Sequence, residues 1–137
     1  MADYTAVKNS SANFNTVKYT GNGGSQSITG VGHQPDWVWI KKRNGAADSS
    51  LMDVIRGVRK SLVSNANNAE YTESSGFSSF DSDGFSFDGN GFNHVNTNSD
   101  SFVGWCWKAG GAASSNGDGT ITSQVSVNTT AGFSIVS

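Results

Sequence analysis

"QPDWVWIKKR", residues 34–43, decides how the rest of this sequence is read. Side chains alternate in direction along an extended chain, so Trp37 and Trp39 share one side and Val38 and Ile40 the other. Apolar residues at every position from 37 to 40 mark a strand covered on both faces, or covered on one and sheltered by a neighbour on the other. A second stretch repeats the pattern. "SFVGWCWKAGG", residues 101–111, alternates Val103, Trp105 and Trp107 against Phe102, Gly104 and Cys106. If these strands are neighbours, four indoles share one sheet face. The residues favour burial, with Trp39 and Trp105 inside a sandwich or between subunits. The competing reading is an exposed wall of Trp37, Trp39, Trp105 and Trp107 that binds sugar rings.

Working outward, "FNTVKYT" at 14–20 alternates Phe14, Thr16 and Lys18 against Asn15, Val17 and Tyr19, and "GNGG" at 21–24 is a turn cluster. "GFSSFDSDGFSFDGNGF" at 76–92 puts Phe85 and Phe87 on one face, with Asp-Gly pairs at 83–84 and 88–89 as hairpin signals. "GDGTITSQVSVNTTAGFSIVS" at 117–137 reads as a hairpin strand and a last strand over 133–136. Only "SSLMDVIRGVRKSLVSN" at 49–65 has helical spacing, in Leu51, Val54, Ile55 and Val58, and Gly57 interrupts it. One short helical turn, or a strand pair broken at Arg56-Gly57, both fit. The fold expected is all-β, a β-sandwich or jelly-roll-like single domain with at most one short helix. Residues 1–13 read as a polar arm, disordered on its own, and 14–127 as the sandwich. Residues 128–137 read as a closing strand or as the start of a second repeat, since "FSIV" at 133–136 echoes "FNTV" at 14–17.

Composition narrows the function classes. The chain has 137 residues, of which 15% are charged, with net charge −2 and 17 glycines against one proline. A general nucleic-acid binder would show a basic face, so no nucleic-acid partner is expected. No apolar run approaches the ~20 residues that span a bilayer, so no membrane insertion is expected. Residues 1–13 lack a basic start and an apolar run, which predicts no signal peptide. One cysteine, Cys106, allows no internal disulfide and suits assembly in a reducing cytoplasm.

The candidate sites are weak. Asp81, Asp83 and Asp88 cluster in a Gly-rich stretch that offers a loosely built Ca²⁺ site, although Asp-Gly turns explain them as well. "SSNGDGTITSQV" at 114–125 has EF-hand offsets but Ser114 first and Val125 twelfth, where a bidentate Glu belongs, so a hairpin turn is the better reading. His33 and His94 stand isolated, and Cys106 between two indoles reads as an inert buried thiol. Glu70 with Glu73, or Asp48 with Asp53, could form a glycosidase pair only if the fold spaced them for it. The basic runs "KKR" (41–43) and "RGVRK" (56–60) read as solvated or salt-bridged faces, and the sequons at Asn9 and Asn128 matter only on a secretory route. No cofactor is implied and no catalytic set is evident.

"FNTVKYTGNGGSQSITGVGHQPDWVWIKKR", "LMDVIRGVRKSLVSN", "FDSDGFSF" and "FVGWCWKAGG" together resemble a domain repeated in virion proteins of tailed, notably marine, bacteriophages. The resemblance runs from about Phe14 to Gly111 with the four blocks in matching order. It implies a non-enzymatic structural component on the virion exterior, in a tail fibre or appendage, assembled in the host cytoplasm. A capsid decoration protein and a carbohydrate-binding receptor module are the alternatives. Other virion proteins are the partners it implies, while the tryptophans themselves suggest a symmetric homo-oligomer such as a trimer or, on the competing reading, a host-surface glycan.

Overall fold

The computed structural model describes residues 9–91 and 95–137, and these form an all-β, sandwich-like fold. After a short 3₁₀ turn over Ser10–Ala12 come β1 (Phe14–Thr20), β2 (Ser25–Thr29), β3 (Trp37–Lys42), β4 (Ser50–Asp53), β5 (Lys60–Val63) and β6 (Tyr71–Thr72). They are followed by β7 (Phe77–Asp81), β8 (Gly84–Asp88), β9 (Ser101–Trp107), β10 (Ser114–Asn116), β11 (Ser123–Asn128) and β12 (Phe133–Val136). The ambiguous 49–65 segment is a strand pair, β4 and β5. Asp53 ends β4 because its Oδ1 accepts from the backbone N–H of Ile55 and Arg56, turning the chain before Gly57. The helical spacing there came from residues that alternate on strands and then bunch in the turn.

Six strands form the main sheet in the order β1-β9-β3-β4-β5-β6, and β2-β8-β7 form a second sheet. The two sheets enclose one apolar cluster. Val17, Val38, Ile40, Met52, Phe102 and Cys106 come from the large sheet, and Ile28, Phe77, Phe85 and Phe87 from the small one. Tyr19 stands beside Phe85, Phe87 and Phe102, and its hydroxyl donates to the Val95 carbonyl at 2.7 Å, which keeps the buried phenol satisfied. The Asp83-Gly84 signal lies at the β7–β8 hairpin as expected. The second Asp-Gly pair does not make a hairpin, because Asp88 ends β8 by accepting from Gly76 N–H and pairing with Arg59.

The topology is set by β9, which inserts between β1 and β3 and pairs antiparallel with both. Its register puts Trp107 opposite Trp37 and Trp105 opposite Trp39, so the two tryptophan stretches are neighbours. A third sheet, β10-β11-β12, shares no strand pairing with the sandwich sheets, and the expected boundary at 127/128 falls inside β11. The polar arm is described from Asn9 onward. There Ser10–Ala12 turn and Asn13 O accepts from Lys108 N–H at 2.8 Å, so these residues are ordered against the body. The rest of the arm lies outside the described residues.

Candidate functional site

The inward positions of β3 and β9 are Val38, Ile40, Phe102, Gly104 and Cys106, all buried. Strand alternation therefore turns Trp37, Trp39, Trp105 and Trp107 to the opposite face of the large sheet, where all four are half-buried. Of the two placements expected for Trp39 and Trp105, inside the sandwich or between subunits, this rules out the first. Apolar residues on both sides of a strand told of two contacts, and the layer with the core belongs to the aliphatic side.

Pairing extends the outward face into rows. Thr16, Trp105, Trp39, Leu51 and Leu62 lie across β1, β9, β3, β4 and β5. Phe14, Trp107, Trp37 and Asp53 form the next row on one side, and Lys18, Val103 and Lys41 the row on the other. Trp39 and Trp105 pack with ring centroids 5.2 Å apart at 45°, and Trp37 and Trp107 at 4.6 Å and 39°. The two pairs differ in what covers them. Phe133 of β12 stacks on Trp37 at 5.9 Å and on Trp107 at 6.2 Å, and Phe14 packs on Trp107 at 4.7 Å. The third sheet thus caps the Trp37–Trp107 end, leaving a groove of about 440 Å³ between Trp37, Leu51, Leu62 and β12. The Trp39 indole N–H is buried and has no acceptor among the described residues.

The other candidates are not brought together. Asp81 accepts from the hydroxyls of Ser79 and Ser86, and Asp83 from the N–H groups of Gly30 and Gly32 at 3.0 and 2.5 Å. Those backbone donors hold the Asp83 carboxyl below its usual range. Asp88 sits at the far end of β8, where the Arg59 guanidinium first and the Gly76 N–H second lower its pKa to about 2. Each carboxylate of the suggested Ca²⁺ cluster therefore has its own protein donors, and no group of three metal-ligating side chains occurs among the described residues. Asn116 and Asp118 shape the turn between β10 and β11, as a hairpin reading requires.

The proposed acid pairs are likewise engaged. Asp53 binds Arg56 at 2.5 Å, Glu70 lies within 3.4 Å of Arg56 and 3.3 Å of Lys60, Glu73 accepts from Ser61 Oγ, and Asp48 from Asn65. His33 is buried, with Nδ1 on the Ser11 carbonyl at 3.1 Å, and burial lowers its pKa. His94 lies outside the described residues. Cys106 is fully buried, and burial pushes its thiol up to about 12, the state of an inert core residue. Sequence reasoning missed Asn96. It is wholly buried, its amide donates to Gly24 O and Gly89 O, and its Oδ1 accepts from Asn22 N–H, tying three loops together. A lone Asn in a polar loop gives no sequence signal of that role.

Fold and face together define an all-β sandwich module with an outward aromatic surface. The chain belongs to the family described as Domain of unknown function (DUF7483), whose model matches residues 9–137. No curated protein matches the chain, and no solved structure does.

Proposed function

We propose that this chain is a non-catalytic structural module on the exterior of a tailed-phage particle, in a tail fibre or appendage, and that it works by surface contact. The four sequence blocks that resemble phage virion domains supply β1 to β5, β9 and the β7–β8 hairpin, the body of the fold. The observation that carries the contact role is apolar surface turned away from that body. On the third sheet Ser126 and Ile135 face inward and are buried. By alternation Val127 and Val136 face out, and they are 52% and 58% exposed. Beside them runs an edge that no described strand pairs. Gln124 and Ser137 exchange both backbone bonds, so Ser134 and Val136 turn their N–H and C=O groups away from β11. This surface suits a neighbouring virion subunit, including another copy of this chain in a symmetric oligomer such as a trimer.

Particle imaging and assembly test the reading together. Density for the module on a tail appendage is expected, and density on the capsid lattice alone would move it to the decoration role. Val127→Lys with Val136→Lys should leave the melting temperature within about 2 °C of the parent while sharply reducing incorporation, since exposed positions tolerate charge in the monomer. Normal incorporation of that double variant would remove the surface from the account.

A further inference from the structure

We propose that the Trp39–Trp105 half of the outward face binds an anionic polysaccharide, the indoles taking sugar-ring faces and Lys18 and Lys41 taking carboxylates or sulfates. This goes beyond the virion role and holds wherever the module sits on a particle. The Trp37–Trp107 end is already capped by Phe133, whereas no aromatic ring of the third sheet packs on Trp39 or Trp105 among the described residues. Half-buried indoles present apolar faces with a polar edge, the surface that a sugar ring with one apolar side and peripheral hydroxyls can match. The Trp39 N–H is buried beside this face and has no acceptor among the described residues, so a sugar oxygen that reached it would satisfy an unpaired donor.

Charge then selects the kind of sugar. Pairing places Lys18, Val103 and Lys41 in the row next to Thr16, Trp105 and Trp39, about 7 Å away along the strands. Among the described residues Lys18, which is exposed, has no acidic partner, and Lys41 Nζ donates only to the Ala47 carbonyl at 3.0 Å. Farther across the face Lys60 is paired with Glu70 and Asp53 with Arg56, which leaves Lys18 and Lys41 as the charges beside the rings. The face is therefore positive on a chain whose net charge is −2. A neutral polysaccharide would leave those cations unused, and an acidic one would meet them while stacking on the rings.

Indole fluorescence of the full chain, titrated with oligogalacturonate, with heparin, with methyl-esterified galacturonate and with neutral dextran, tests this. Saturable change is expected with one or both acidic glycans, carboxylated or sulfated, and little with the two uncharged ones. Lys18→Gln and Lys41→Gln should each weaken binding about tenfold, as should Trp105→Ala, and added salt should weaken the parent. Lys18→Gln carries the test should Trp105→Ala fold poorly, because Lys18 is exposed. No saturable response to either acidic glycan would overturn the proposal. So would lysine variants that bind like the parent, or single-stranded DNA of equal charge competing as well as the glycans.

Discussion

Arg59 shows how single residues hold this fold together. It is a non-glycine residue at φ +70°, a conformation that costs about 1 kcal/mol, in the turn just before β5. Its guanidinium grips both oxygens of Asp88, and its carbonyl accepts from Glu73 N–H at 2.8 Å, so the turn after β4 is tied to the end of β8. Asp88 titrates at about 2 in the fold against an ordinary 3.8. A depressed carboxylate stabilises the fold fully above its unfolded value and loses that contribution as pH falls toward the folded one. The parent should therefore exceed Asp88→Asn in urea midpoint at neutral pH, and the gap should close between pH 3.8 and about 2. A gap that persists at pH 2 would show that the pair acts by something other than charge.

At the scale of the element, strands were legible where alternation was clean. Val17 and Tyr19, Phe85 and Phe87, and Phe102 with Cys106 all point inward as their spacing indicates. The β4–β5 pair was ambiguous, since a turn shaped by the Asp53 carboxylate has no period of its own. Glycine decides one contact that no pattern displays. A Cβ on Gly84 would stand 1.9 Å from the Ile28 carbonyl oxygen, across the β2–β8 pair. Gly84→Ala should thus cost about 2–4 kcal/mol by forcing the two strands apart. Gly30→Ala, at φ +89° with open space around it, should cost only about 1 kcal/mol of backbone strain. Equal losses in chemical denaturation would contradict the close approach.

For the whole molecule, the central claim is that the aliphatic side of β3 and β9 makes the core and the tryptophan side is turned out of the sandwich. The sequence showed both sides to be apolar and could not say which received the second layer. That choice depends on β9 inserting between β1 and β3, and on β2, β7 and β8 closing over Val38 and Phe102, contacts between residues far apart in the chain. The candidate site was half legible in the same way: the four indoles were identified, whereas their exposure and the lysines beside them needed the pairing register. Thermal unfolding of Trp105→Ala beside Phe85→Ala tests the claim most directly. Phe85 is fully buried between the sheets, so its truncation should cost about 3–5 kcal/mol, whereas the half-buried Trp105 should cost about 1–2 kcal/mol and leave a cooperative fold. A Trp105→Ala variant that loses as much stability as Phe85→Ala would contradict the account and return the tryptophans to the core.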